Sequence, residues 1–231
     1  ELVMIAAHDI RAPLSVILGY TDILTETEPE ISANGKAILT RIHAAANRLL
    51  TMVNNLLNLA AVEEGKVQLT LAPVRVSEVI ADVMESLGGM LDEQQVRCSS
   101  EIRGPDAAFM IDKVRLEQVL QNLVANAVKF NKKGGTVHVT AITTGDALRF
   151  SVKDSGKGFT AEQAGRAFTK FARFSSASNQ GSGLGLAIAK AFVQLHGGEI
   201  WLDSKPGEGT TFHFTIVPGY RPPESRGVLP A

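Results

Sequence analysis

The sequence predicts an α+β protein in which an antiparallel two-helix hairpin, a four-helix bundle when dimeric, precedes an α/β sandwich. Two observations lead to this prediction. Small and apolar residues recur in alternating steps of four and three along most of the first 66 residues, the spacing of helical bundles. After Gly65 the pattern changes to short alternating segments interspersed with amphipathic ones, which is typical of strands and helices in a layered domain.

The first 66 residues contain the predicted hairpin. A polar turn, ETEPEISANG, separates its two periodic segments. Because two helices leave much of their apolar surface in water, we expect a homodimer that completes a four-helix bundle. The apolar spacing runs through Val3, Ala7, Ile10, Leu14, Ile17, Thr21 and Leu24 in the first helix and through Ile38, Ile42, Ala45, Leu49, Met52, Leu56 and Leu59 in the second.

Residues 67–218 form the predicted second domain, and residues 219–231 a disordered tail rich in Pro, Gly and charge. The predicted sheet is mostly antiparallel, and the glycine-rich stretches lie outside the regular elements. Predicted strands are VQLTL, VRCSSEI, TVHVTAI, ALRFSVK, EIWLDS and TTFHFTIV; predicted helices are VSEVIADVMESLGGML, residues 112–130 and residues 184–195.

Composition excludes several classes of protein. The chain has 231 residues and a net charge of −1, and without basic clusters it offers no nucleic-acid surface. A single cysteine, Cys98, indicates a reducing compartment and a cytoplasmic location. No apolar run is long enough to span a bilayer. Since the sequence opens in helical periodicity without an N-cap, we expect a longer protein, with any membrane attachment through an upstream segment.

The first candidate site is His8 and its neighbour Asp9 on the first helix. Ala7 belongs to the apolar seam, so His8 is rotated about 100° away from it, where a large reactant could reach its ring. Neutral imidazole is a nucleophile, and a neighbouring carboxylate can accept its second proton. Pro13 removes a helix hydrogen bond nearby and should bend the helix. A surface His-Asp pair without function explains this motif equally well.

The second candidate site is on the helix of residues 112–130. Asn122 and Asn126 are four residues apart and therefore share one face, close to Lys129. Amide oxygens can bind a hydrated Mg²⁺ that also contacts nucleotide phosphates, and a lysine adds positive charge for the same phosphates. Taken alone, these residues could equally be solvated polar positions.

Two glycine-rich segments complete the candidate sites. Asp154 ends a strand and could accept a hydrogen bond from the amine of adenine, while Gly156 and Gly158 would let the backbone approach a flat base. The segment Gly181-Ser182-Gly183-Leu184-Gly185 opens a helix, where free N–H groups favour phosphate. It is not a Walker A loop, because no G-K-[ST] follows. An ordinary turn remains the alternative for the first segment.

Six motifs follow one another in a fixed order, and this order resembles that of two-component sensor histidine kinases over residues 1–217. The resemblance implies a dimerisation and phosphotransfer domain, followed by an ATP-binding sandwich of the Bergerat (GHKL) type shared with gyrase. The motifs are the His8 motif, N-x-x-x-N, D-x-G-x-G, Phe168-Thr169-Lys170-Phe171, G-x-G-L-G-L and Gly207-Glu208-Gly209-Thr210.

The resemblance implies autophosphorylation of His8 by ATP and phosphotransfer to an aspartate of a response-regulator receiver domain. It makes Asp9 the residue that assists proton transfer and Asn126 the Mg²⁺ ligand, with Asn122 beside it. Lys129 would face the phosphates and Asp154 would bind adenine. Further nucleotide-binding residues implied are Phe130, Gly156, Gly158, Gly181, Ser182, Gly183, Leu184, Gly185 and Thr210.

The segment of residues 160–181 resembles the mobile lid over ATP in this family. The resemblance makes Phe168 and Phe171 its anchors. Either Lys170 or Arg173 would reach the γ-phosphate, and Arg173 is preferred. Transfer to His8 also requires the two domains to rearrange about the short link near residues 64–67.

Three positions depart from the family pattern. Ala12 occupies the position four after the histidine, where the family commonly has Thr or Asn to orient water for dephosphorylating the partner. Alanine cannot make that hydrogen bond, so we hypothesise weak phosphatase activity. Lys157 replaces an aliphatic residue and Ala172 a frequent tyrosine, changes that could tune nucleotide affinity.

Three rival interpretations remain. The chain could be a degenerate kinase that dimerises, binds nucleotide and regulates a partner without phosphotransfer. It could be an ATPase or protein kinase of the same superfamily, with the helices serving only for dimerisation. It could also be an unrelated α/β domain after a coiled coil. Intact His8, Asn126 and Asp154 argue against the first, labelled His8 would exclude the second, and the six ordered motifs argue against the third.

Overall fold

A computed structural model describes residues 2–27, 31–144, 147–174 and 182–221, without the side chains of residues 2–9 and Thr144. The predicted fold class is confirmed: a helical hairpin precedes a mixed α/β domain. In these residues no helix has the length and apolarity needed to cross a membrane.

The hairpin consists of α1 (Leu2–Thr27) and α2 (Ala33–Glu63). Ser32 caps α2 by accepting a hydrogen bond from the Gly35 amide at 3.1 Å. At the far end of the hairpin, Arg11 Nη2 donates to Asn54 Oδ1 at 2.8 Å. The helices therefore run antiparallel, as predicted, with Arg11 level with Asn54.

The predicted seam is only partly buried between the two helices. Leu14 and Thr21 of α1 are buried, and on α2 Ala46 is buried, whereas its neighbour Ala45, the predicted seam residue, is exposed. Most of the other seam residues are exposed, among them Ile17 at 42% and Leu49 at 49%. The apolar stripe is wider than one neighbouring helix can cover, so much of it remains in water within a single chain.

The α/β domain alternates short helices with two sheets. Its helices are α3 (Val76–Ser86), α4 (Gly88–Gln94), α5 (Lys113–Lys129), α6 (Ala161–Arg166) and α7 (Gly185–Leu195); its strands are β1 (Ala72–Arg75), β2 (Arg97–Arg103), β3 (Ala108–Ile111), β4 (Thr136–Thr144), β5 (Ala147–Asp154), β6 (Ile200–Lys205) and β7 (Gly209–Ile216).

The main sheet has the strand order β2-β4-β5-β7-β6. Only β2 and β4 are parallel, and the remaining pairs are antiparallel, as the sequence indicated. Alternation in β5 directs Leu148, Phe150 and Val152 into the core, where Phe150 stacks on Phe214 of β7 at 4.6 Å. The buried faces of α5 and α7 cover this side of the sheet.

Several predicted elements differ from the structure. VQLTL is not a strand: Thr70 N donates to the carboxylate of Asp112 at 2.9 Å, and pairing begins only at Ala72, opposite β3. The helix predicted for residues 76–91 is broken at Leu87, before two glycines, into α3 and α4. The short elements β3 and α6 were missed. Of the predicted tail, residues 222–231 lie outside the description, whereas Gly219 donates to the Met110 carbonyl at 2.7 Å.

The hairpin is docked onto the α/β domain through the C-terminal half of α2. Leu59 is 5% exposed and belongs to the same hydrophobic cluster as the core of the α/β domain. Val62 packs against this cluster, and α2 lies against α7. Glu63 and Lys170 form an ion pair across the junction. These contacts bring one side of α2 next to the predicted nucleotide site.

Candidate functional site

A cavity lies between the C-terminal half of α5 and the ends of β5 and β7. We call it the Asp154 cavity. Aromatic and aliphatic side chains form most of its wall, with few polar groups, which is the usual composition of a small-molecule site. Its lining residues are Asn126, Phe130, Asp154, Lys157, Gly158, Phe159, Phe174, Leu186, Thr210 and Phe212.

Asp154 is the buried carboxylate of this cavity, with 8% of its surface exposed. Its Oδ1 accepts hydrogen bonds from Gly156 N at 2.8 Å and Thr210 N at 3.2 Å. Burial raises the pKa of Asp154, and these two backbone donors partly oppose the rise. Within the described residues Oδ2 accepts no hydrogen bond, so it can accept one from a ligand amine.

The glycines beside Asp154 are required by close backbone approach. A Cβ at Gly156 would lie 2.5 Å from the Phe130 carbonyl oxygen. Gly158 has a φ of +67°, and a Cβ there would overlap the Lys205 carbonyl. Gly158 lines the Asp154 cavity, whereas Gly156 lines neither cavity, contrary to its predicted contact, and instead lets the backbone pack against Phe130.

A second cavity adjoins the first and shares Asn126, Phe130, Phe174 and Leu186 with it. We call it the Arg173 cavity. It is more polar, and it lies between the hairpin and the α/β domain. Its other lining residues are Thr51, Asn55, Met90, Asn122, Ala125, Lys129, Arg173, Ser182, Gly183 and Gly185.

Three cationic side chains surround the junction of the two cavities. The ammonium groups of Lys129 and Lys157 lie 5.0 Å and 4.8 Å from the centre of the Phe130 ring. Burial, and next the charges of Arg173 and Lys157, lower the pKa of Lys129. None of the three cations forms an ion pair with a described residue, so the cluster favours a bound anion.

The helix α7 begins at the edge of the Arg173 cavity. Ser182, Gly183 and Gly185 line the cavity, and no side chain caps the first turn of the helix. Uncapped N–H groups at a helix start attract phosphate. Leu184 lies instead in the hydrophobic core at 0% exposure and lines neither cavity, contrary to its predicted contact. Gly181 lies outside the described residues.

The predicted lid is described as far as residue 174. Phe168 packs edge-on against Phe212 at 6.2 Å, which agrees with an anchoring role. The anchor prediction was wrong for Phe171, which is 60% exposed with a φ of +60°. Phe174 takes that place: it packs edge-on against Phe159 at 5.5 Å and lines both cavities. The sequence could have indicated this role, because Phe174 is an aromatic residue only three positions after Phe171.

The backbone of His8 and Asp9 belongs to α1, but their side chains lie outside the description. His8 is three residues before Arg11, which contacts Asn54 of α2. The part of the hairpin around Arg11 and Asn54 lies beside Thr51 and Asn55, which line the Arg173 cavity. Ala12 is exposed on α1.

Comparison with known families gives two matches. Residues 1–65 match the histidine kinase A (phospho-acceptor) domain, and residues 111–219 match the histidine kinase-, DNA gyrase B- and HSP90-like ATPase family. The chain is also 34% identical, over 224 residues, to the sensor histidine kinase WalK of Bacillus subtilis, and the aligned region covers 94% of this chain and 36% of that protein. The chain belongs to the histidine kinase family.

Solved histidine kinase structures share the fold. Full-length ShkA in complex with AMPPNP superposes with a TM-score of 0.81 at 29% identity, covering 98% of this chain and 47% of that one. ThkA in complex with the response regulator protein TrrA superposes with a TM-score of 0.65 at 25% identity, covering 95% and 61%. This chain spans less than half the length of the curated relatives it matches.

Residues of four of the six motifs line the two adjoining cavities, whereas none of residues 168–171 lines them and the His8 side chain lies outside the description. Lys170, one of the two candidate residues for the γ-phosphate, pairs with Glu63 and lines neither cavity. Sequence reasoning missed Thr51, Asn55, Phe159, Phe174 and Phe212 as lining residues. The predicted residues that line the cavities are Asn122, Asn126, Lys129, Phe130, Asp154, Gly158, Arg173, Ser182, Gly183, Gly185 and Thr210.

Proposed function

We propose that this chain is the core of a sensor histidine kinase that transfers the γ-phosphoryl group of ATP to His8 and then to an aspartate of a response regulator. The observation that carries the proposal is the distribution of charged groups along the site. The Asp154 cavity has a free carboxylate oxygen and adjoins the Arg173 cavity, and three cations that form no ion pair with a described residue, Lys129, Lys157 and Arg173, surround the junction. A purine base joined to a polyphosphate has this same distribution of groups.

Each end of ATP has partners of suitable chemistry. Asp154 Oδ2 would accept a hydrogen bond from the exocyclic amine of adenine, and Phe130 would contact the base. Lys129, Lys157 and Arg173 would neutralise phosphate oxygens, together with N–H groups at the start of α7. Because the site contains both a carboxylate acceptor and several cations, it favours ATP over an uncharged nucleoside.

The residues present also fit a magnesium ion. Mg²⁺ keeps several waters and binds through few protein oxygens plus substrate phosphates. Asn126 lines both cavities and Asn122 lines the Arg173 cavity, and neither amide has a hydrogen-bond partner among the described residues. Asn126 would hold the ion, with Asn122 beside it. When bound, the ion neutralises charge on the transferred phosphoryl group.

The transfer step uses His8 as the nucleophile. A ring nitrogen of neutral His8 forms a bond to the γ-phosphorus while the bond from that phosphorus to the bridging oxygen breaks, and ADP leaves. Asp9 accepts the proton of the other ring nitrogen or holds it by a hydrogen bond. The protein contributes mainly by positioning the two reactants.

The apolar surface of the hairpin supports a homodimer. A second copy is the occupant that would bury both stripes at once in a four-helix bundle. The exposed large apolar residues of the hairpin are Ile10, Val16, Ile17, Tyr20, Ile23, Leu24, Ile38, Ile42, Leu49, Met52 and Leu56.

The proposed partner is the receiver domain of a response regulator. The structure of ThkA with its response regulator supports this class of partner for a chain of the same fold. A cytoplasmic location agrees with the single unpaired cysteine, Cys98.

Incubation of the purified chain with γ-labelled ATP and Mg²⁺, beside a His8→Gln variant, tests the proposal. We expect label in the wild-type chain that is labile in acid, stable in alkali and absent from the variant. Tight ATP binding without label would favour the degenerate scaffold. Label retained by the variant would favour a kinase that modifies another residue.

A further inference from the structure

The Arg173 cavity has a wall contributed by the phosphoacceptor hairpin. Thr51 and Asn55, one turn apart on α2, line it opposite residues of α5 and the lid. The hydroxyl hydrogen of Thr51 is not available to a ligand, because it is donated to the Asn47 carbonyl at 2.8 Å. Asn55 is half-buried, and its amide has no hydrogen-bond partner among the described residues. It is therefore the free polar group of this wall.

Asn55 shares the cavity with groups suited to phosphate. Asn122 and Asn126 present two more amides that have no hydrogen-bond partner in the described part of the chain, and Lys129 and Arg173 supply positive charge. A carboxamide can donate two hydrogen bonds to phosphate oxygens and accept one from bound water. Asn55 is the member of this cluster that comes from the other domain.

The position of Asn55 is fixed by packing on its own helix. Leu59, one turn further along α2, is buried in the core of the α/β domain, and Val62 packs against it. Glu63 adds the ion pair with Lys170. These contacts hold this side of α2 against the Arg173 cavity.

We infer that Asn55 is a nucleotide-binding residue that contacts the phosphate end of ATP, so that the hairpin completes the ATP site of the other domain. The inference rests on the proposed function and deepens it. ATP binding and docking of the hairpin onto the α/β domain then share a contact. Docking should therefore raise the affinity for ATP, and ATP should stabilise the docked arrangement by the same factor. Adenosine, which lacks phosphates, binds without this coupling.

Calorimetric titration of the whole chain with Mg·ATP and with adenosine tests the inference. We expect Asn55→Ala to weaken ATP binding about fivefold through the lost hydrogen bonds. Asn55→Asp should weaken it about tenfold or more, because a carboxylate repels the phosphates. Adenosine affinity should stay within about twofold of wild type in both variants.

The matched controls are Asn47→Ala and Asn47→Asp. Asn47 is an exposed asparagine of the same helix whose side chain hydrogen-bonds only to His43 among the described residues; its backbone carbonyl, which accepts from Thr51, is unchanged by the substitution, and Asn47 lines neither cavity. They should bind ATP as wild type does. The inference is overturned if Asn55→Ala binds ATP with wild-type affinity, or if the Asn47 variants lose as much. A wild-type chain that binds no ATP would overturn the proposed function as well.

Discussion

Asp154 illustrates how a single residue can be prepared for binding by its surroundings. Its carboxylate is buried, which favours the protonated form, and one oxygen is held by two backbone amides. The other oxygen has no partner among the described residues. This oxygen is therefore free to accept a hydrogen bond from a ligand amine.

The pKa of Asp154 predicts how adenosine binding depends on pH. The ligand amine needs the ionised carboxylate as an acceptor, and the pKa of the free group is raised above its usual value of 3.8. Adenosine affinity should therefore be full above the raised pKa and fall as the pH decreases through it. Fluorescence or calorimetric titration at several pH values measures this.

Asp154→Asn provides the control for that profile. The isosteric amide does not titrate, so its adenosine affinity should be lower, by about tenfold, and flat with pH, since one acceptor bond is changed. A profile of the same shape in the wild type and the variant would show that another group is responsible.

At the scale of elements, the segment from Ala167 to Phe174 separates two cations that look alike in the sequence. Lys170 turns toward α2 and pairs with Glu63, whereas Arg173 lies on the cavity wall near Lys129. Between them Phe171 adopts the left-handed backbone conformation, with a φ of +60°. Two residues with the same charge therefore contact different domains.

Alanine substitutions at these two positions should have different effects on ATP binding. Arg173→Ala should weaken it about tenfold, which corresponds to about 1.4 kcal/mol, because a phosphate loses its charged partner. Lys170→Ala should change it by no more than about twofold, since an exposed ion pair contributes little. Equal losses in parallel titrations would contradict this assignment.

At the scale of the whole molecule, the hairpin uses different faces for different contacts. One face of α2 packs on α1, and a second docks on the α/β domain through Leu59. A third face, with Ile42, Leu49 and Leu56, is exposed. Apolar area of this extent in water is typical of an interface with another chain.

Charge placed in this exposed face should dissociate the proposed dimer. We expect the wild-type chain to sediment at twice its mass of 24.7 kDa, and Leu49→Glu to weaken self-association at least 100-fold, because a buried carboxylate without a partner is costly. Sedimentation equilibrium over a concentration series measures both.

Lys36→Glu is the control for the dimer, since this exposed residue lies away from the apolar stripe. It should associate as wild type does. Monomeric wild-type protein at high concentration would contradict the dimer, and unchanged adenosine binding by Leu49→Glu would show that the α/β domain remains folded.

The elements that sequence predicted well carry their own periodic signal. Helix α5 was predicted from its apolar stripe, and β4 and β5 from alternation around a turn; the structure adds that Asp112 caps α5. The segment VQLTL has the same alternation, with Val67, Leu69 and Leu71 half-buried, but no strand lies beside it. Alternation determines which side chains face inward, whereas pairing depends on a neighbour that comes from elsewhere in the chain.

The sequence by itself determined the fold class, the order of the motifs and most residues of the two cavities, because periodicity and short glycine motifs are local properties. The tertiary structure decided that Leu184 belongs to the core, that Phe174 and not Phe171 packs at the lid, and that Lys170 pairs with Glu63. It also placed Asn55 beside the α/β domain. These outcomes depend on how separate elements pack against one another, and that packing brings together residues far apart in sequence.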